Sequence, residues 1–97
     1  MLSIMSKYSV VKVPSDILVS TAQNVSELRK ERGWTQLELS ERSGVSYGSV
    51  KRFERFGKIS FESLLKIAEV LNRLEDFEKL LLPKVEDRVK KLFNSKK

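Results

Sequence analysis

The chain has 97 residues, enough for one domain with a core of modest size. It contains no cysteine and no histidine, which excludes disulfides and thiolate metal sites and removes both the usual general base and the commonest zinc or iron ligand. Nineteen basic residues against thirteen acidic ones give a net charge of +6, a balance that suits a polyanion such as nucleic acid or an anionic membrane, or simply a solvated basic surface.

Residues 1–5 are too short for the apolar core of a signal peptide, and no apolar run exceeds three residues. A cytoplasmic chain with no membrane partner is therefore expected. Residues 8–13 (YSVVKV) are β-branched and aromatic and read as a short strand, ended by Pro14. Ser15 or Asp16 then caps a first helix, with Pro14 just outside it. Its apolar positions are Ile17, Ala22, Val25 and Leu28. Gly33 ends it after the basic turn of Arg29, Lys30 and Arg32. Thr35 and Glu38 have the spacing of a capping box for a second helix, which runs to about Arg42 and breaks at Gly44. Ser46 caps a third helix to about Arg55, closed by Gly57. Ser60 caps a fourth, with Leu64, Ile67, Ala68 and Leu71 on one face. Leu74, Phe77, Leu80 and Leu81 read as a short fifth helix closed by Pro83. The tail from Lys84 has the pattern of one or two further amphipathic turns around Val85, Val89 and Leu92.

The expected architecture is all-α, five short helices with brief connections. It divides into an N-terminal arm (1–14), a helical domain (15–82) and a basic C-terminal tail (83–97). Charge is unevenly spread. Residues 45–58 hold Lys51, Arg52, Arg55 and Lys58 against the single acid Glu54. Residues 59–82 reverse the balance, with Lys66, Arg73 and Lys79 against Glu62, Glu69, Glu75, Asp76 and Glu78. A basic third helix beside an acidic fourth and fifth is the footprint of one-sided polyanion binding.

The most informative stretch is residues 36–53, QLELSERSGVSYGSVKRF. Two helices that cross steeply after a short turn need a residue tolerant of positive φ, and Gly44 supplies it. They need inward apolar positions, supplied by Leu39, Val45, Val50 and Phe53. They need a small residue at their closest approach, and Ser40 fits, with a hydroxyl able to bond back to a helix carbonyl.

With LRKERGWTQLELSERSGVS, the RFER after it and SLLKIAEVL, residues 25–71 resemble the helix-turn-helix regulators of the Cro and phage-repressor, or XRE, family. Ser40 departs from the alanine usual there, and the Phe56-Gly57 pair departs from the usual single-glycine turn before helix four. The run SVKRFERFGKISFESLLKIAEVL and the LEDFEKLLLP after it are also similar to HipB-like antitoxins, regulators encoded beside HipA-type kinase toxins.

The resemblance implies a five-helix, lambda-repressor-like fold and a transcriptional repressor that binds double-stranded DNA. The third helix would enter the major groove and present Tyr47, Gly48, Lys51 and Arg52 to base edges. Arg52 would pair with guanine, and Tyr47 would touch a thymine methyl or a phosphate, or simply cover the turn. Gln36, Ser46 and Ser49 would lie near phosphates, close to free amides at a helix N-terminus. Gly48 leaves a usual reading position without a side chain. Trp34 is expected to pack between helices one and two. In the family pattern an arginine late in helix one pairs with a glutamate near the end of helix three, here Arg29 and Glu54.

A homodimer on a palindrome is expected, joined either through residues 8–13 as an edge strand or through helix five and the tail. The alternative function is an antitoxin that clamps a HipA-like toxin and regulates its own operon. An enzyme is disfavoured, because no nucleophile–base pair, metal cluster or glycine-rich phosphate loop is present; no cofactor is expected.

Overall fold

The computed structural model describes residues 12–95. Among the described residues five α-helices follow one another: α1 (Pro14–Glu31), α2 (Gln36–Ser43), α3 (Tyr47–Phe56), α4 (Phe61–Val70) and α5 (Val85–Ser95), with a 3-10 turn at Leu74–Phe77 between α4 and α5. No strand occurs among the described residues. Of the strand expected over 8–13, residues 8–11 lie outside the described residues, and Lys12 and Val13 are irregular.

α1 begins one step earlier than the sequence suggests. Pro14 is its first residue, not the residue outside it, and Val13 is the cap. The reason is chemical: the first helical amide needs no partner, and proline has none to offer. Asp16 still caps, but from inside the first turn, its carboxylate accepting from the Val13 amide at 3.2 Å. The buried face of α1 carries Ala22, Val25 and Arg29. Ile17, expected on that face, is 51% exposed, while its neighbour Leu18 brings its backbone against Gly57. α1 ends as Gly33 enters the left-handed region at φ +72° and donates to the Lys30 carbonyl at 2.9 Å.

α2 carries the expected capping box. The Glu38 amide donates to Thr35 Oγ1 at 3.0 Å, and the Thr35 amide donates to Glu38 Oε1 at 2.9 Å. The bond from the Thr35 backbone holds the Glu38 carboxyl below its usual range. Gly44 closes α2 at φ +78°. The Ser40 hydroxyl does not bond back within its helix; it donates forward to the Val45 carbonyl at 2.6 Å and ties α2 to the turn.

Ser46 caps α3 by accepting from the Ser49 amide, and Ser60 caps α4 by accepting from the Ser63 amide. The core gathers at the crossing of these helices, where Leu39, Val50, Phe53, Ile67 and Leu71 are fully buried. Leu28, Trp34, Ile59 and Leu64 pack around it. α1 packs on α3, and α2 on both α3 and α4. The Arg32 guanidinium donates to the Leu71 carbonyl, so the end of α1 caps the end of α4.

Two expectations fail after α4. The short fifth helix is only the 3-10 turn Leu74–Phe77. Leu74 and Phe77 are spaced to reach α4, and the Phe77 ring meets Phe61 edge-on at 6.0 Å. Leu80–Leu82 find nothing to cover them; Leu81 adopts φ +57° and is 98% exposed. The tail, expected to form one or two turns, instead forms the eleven-residue α5. Pro83 precedes this helix and does not merely close the segment before it. The Lys84 amide donates to Asp87 Oδ2 at 2.9 Å, an N-terminal cap.

Candidate nucleic-acid interface

α3 shows the solvent one continuous polar face because the core takes its other side. Val50 and Phe53 point inward, and the helical period then sends Tyr47, Gly48, Lys51, Arg52 and Arg55 outward. Lys51 and Tyr47 lie one turn apart on that face, with the ammonium 4.4 Å from the ring centroid. The tyrosine thus covers a cation and is itself exposed.

Lys51 and Arg52 diverge to opposite flanks of α3. Arg52 lines a notch of about 380 Å³ with Ser49, Lys58, Ile59, Ser60 and Ser63, against the N-terminus of α4. Lys51 lines a second notch, of about 410 Å³, with Lys30, Gln36 and Arg55 above a floor of Ser26, Arg29 and Glu54, against the N-terminus of α2. Each side of α3 therefore pairs cationic side chains with a helix start, where first-turn amides and the dipole favour anions.

The floor of the second notch fixes the angle of α3. Arg29 donates from Nε to Glu54 Oε2 at 2.7 Å and from its second terminal nitrogen to Glu54 Oε1 at 2.9 Å. It also donates to the Trp34 carbonyl at 2.7 Å. The side chains are 10% and 6% exposed, so the expected pair is present and withdrawn from solvent. Burial pushes the Glu54 carboxyl up. The hydrogen bonds from Arg29, Gln36 and Ser26, with the Arg29 charge, outweigh it and leave the group below its usual range.

The seven site residues expected from the sequence do not form one cluster. Gln36 sits in the second notch, with Nε2 donating to Glu54 Oε1 at 2.9 Å. It is therefore half committed to the buried pair, leaving one amide hydrogen and its oxygen for a ligand. Ser46 donates to the Ser49 hydroxyl at 2.8 Å, so these two form one unit at the start of α3. Gly48 is exposed, and a Cβ built there would meet nothing within 4 Å. Trp34 packs on the core as expected, and its outer faces lie beside the guanidinium groups of Arg42, at 4.3 Å, and Arg32, at 5.4 Å.

Sequence reasoning missed Lys30, Arg55, Lys58 and Ser60. The signal for Arg55 was present, since it stands four residues beyond Lys51 and shares its face. Lys58 was legible as a cation two residues before a helix cap. Lys30 was not, because its place beside α3 depends on how α1 packs. No described helix is long and apolar enough to cross a membrane. Among the described residues no group of acidic side chains is placed to hold a metal ion.

A family model described as Helix-turn-helix matches residues 25–77, more than half of the chain. Neither a curated protein nor a solved structure matches it. The matched span contains α2, α3 and α4 complete, together with both cationic notches. The chain belongs to the XRE-type helix-turn-helix family of DNA-binding transcription regulators.

Proposed function

We propose that the chain is a sequence-specific repressor that binds a palindromic operator as a two-fold dimer. The observation that carries this reading is the placement of cationic notches on both flanks of α3, each against a helix N-terminus. Such a face grips a phosphate strand on either side while the helix between them enters the major groove. One domain covers a single half-site with a small contact area, and two-fold symmetry doubles it, with half-sites about 34 Å apart.

Within this reading, Arg52 discriminates, since its guanidinium fork matches the two acceptors of guanine. Tyr47, Gly48 and Lys51 complete the surface offered to base edges. Gln36, Ser46 and Ser49 position the protein on phosphates, joined by Lys30, Arg55 and Lys58. The antitoxin alternative shares this interface and also binds an operator; it additionally requires a toxin partner, so a pull-down for a large partner protein, and not operator binding, separates the two readings.

The test compares affinity for a selected operator and for scrambled DNA at fixed salt. Arg52→Ala is expected to cost about 1–3 kcal/mol on the operator and to relax preference at one position per half-site. Gln36→Ala is expected to weaken binding to both DNAs by a similar factor. Equal losses on both DNAs for Arg52→Ala would make Arg52 a phosphate contact and refute its reading role.

A further inference from the structure

α5 begins beside a cationic stripe that the helix then carries along one side. Lys84, the residue before the helix, and Arg88 and Lys91 within it stand at i, i+4 and i+7, a spacing that places them on one side. All three are exposed, as is every residue from 78 to 93. The ion pairs among the described residues are Arg29–Glu54, Glu62–Lys66 and Arg73–Asp76, and none involves the stripe. α5 is not among the helices that pack together, and no other helix supplies the stripe with a counter-charge.

The two acids of α5 do not neutralise it. Glu86 falls on the far side of the helical wheel. Asp87 stands next to Lys91 on the wheel, but its Oδ2 accepts from the Lys84 amide at 2.9 Å, which holds the carboxylate at the helix start. From Lys84 to Lys91 the chain rises about 10 Å along the axis. One strand of duplex DNA presents a phosphate about every 3.4 Å, so the stripe spans about three successive phosphates.

We propose that α5 is a second DNA contact, which lays Lys84, Arg88 and Lys91 along the phosphate backbone outside the half-site met by α3. Neither notch beside α3 includes a residue beyond Ser63, so these phosphates are additional to those the notches grip. The contact adds affinity and salt dependence and leaves base preference alone, because phosphates carry no sequence. An anionic membrane fits α5 less well: an interfacial helix needs a polar face rich in cations, and here Glu86 and Asp87 interrupt it. The proposal rests on the DNA-binding reading of α3, but not on operator selectivity.

The salt dependence of binding by the full chain tests it. Lys84→Gln/Arg88→Gln/Lys91→Gln is compared with Lys66→Gln/Lys79→Gln/Lys90→Gln, which removes the same charge from other exposed positions. Glutamine is a good helix former, and circular dichroism checks that helix content is kept. Fluorescence anisotropy between about 50 and 200 mM salt follows a selected operator with long flanks, the same operator trimmed, and scrambled DNA. Loss of three phosphate contacts should flatten the slope of log affinity against log salt by about 2.7 per bound chain. Long operator and long scrambled DNA should lose affinity by the same factor, at least about tenfold. Trimming the flanks should weaken the parent and leave the stripe variant unchanged. The control variant should stay within about 1 of the parent slope. An unchanged slope for the stripe variant overturns the contact. So does a control that flattens equally, which reduces the effect to net charge, and so does a parent indifferent to flank length. A stripe variant with parental DNA binding that no longer sediments with phosphatidylglycerol vesicles would assign the stripe to a membrane and overturn the proposal. A parent with equal affinity for operator and scrambled DNA overturns the repressor reading and leaves this contact standing, because the slope is read on either DNA.

Discussion

Replacing Arg29 with Met should destabilise the domain more than removing any other charged side chain. Methionine keeps much of the aliphatic length but strips away two bonds to Glu54 and one to the Trp34 carbonyl. Glu54, 6% exposed, is then left charged with only Gln36 and Ser26 to satisfy it. Removing one partner of such a withdrawn pair costs about 3–5 kcal/mol, against about 1 kcal/mol or less for a surface pair. That is a large share of the 5–15 kcal/mol typical of a small domain, and it corresponds to a fall in Tm of at least about 12 °C. Arg29→Met/Glu54→Leu should recover much of the loss, because no uncompensated charge remains buried. Urea unfolding at pH 7 followed by circular dichroism measures all three variants, and the cycle yields the coupling energy. A loss below about 1 kcal/mol for Arg29→Met, or a double variant that loses the sum of the single losses, would refute the argument.

The same pair sets a pH dependence. The folded state holds the Glu54 carboxyl below its ordinary value of 4.5, so the unfolded chain takes up that proton first; the contribution is complete above the ordinary value and is lost as pH falls through it and the folded one. Urea titrations from pH 7 to 3 should show a steeper decline for the parent than for Arg29→Met/Glu54→Leu, and equal slopes would contradict this. Gly57→Ala should cost at least about 2 kcal/mol in the same unfolding assay, since φ is +75° and the new Cβ would lie 2.9 Å from the Leu18 carbonyl oxygen. Gly48→Ala should do the reverse to stability, adding about 0.5–1 kcal/mol in an open helical position. In the proposed interface it should also weaken operator binding about tenfold, by placing a methyl where the duplex approaches; unchanged affinity would remove Gly48 from that surface.

What was legible in the sequence was local. Thr35 with Glu38, Ser46 and Ser60 before helix starts, and Gly33, Gly44 and Gly57 after helix ends act through bonds within four residues, and all appear where the pattern puts them. The inward set Leu39, Val45, Val50 and Phe53 was also readable, because a steep helix crossing restricts both size and phase. The region after α4 was misread because Leu74, Phe77, Leu80 and Leu81 keep a helical spacing without a surface to bury all four. Proline misled twice: at Pro14 and Pro83 it stands at or just before a helix N-terminus, where its missing donor costs nothing. The commitment of Gln36 to Glu54 joins residues 18 apart in sequence and depends on the packing of three helices. No reading of a single helix face could have supplied it.

The two cationic notches have a consequence for which DNA the protein prefers. Their separation is set by Val50 and Phe53, which lock α3 against its neighbours, and by the Arg29–Glu54 tie. The span is thus a rigid gauge, and flexible side chains do not set it. In the proposed complex the duplex must adapt to that gauge, and the energy of doing so depends on how easily each base step widens or narrows its groove. Operators should therefore be ranked partly by their mechanics, including steps that no side chain touches. A variant that loosens the gauge without altering Arg52 should blur that ranking while leaving the preferred guanine in place.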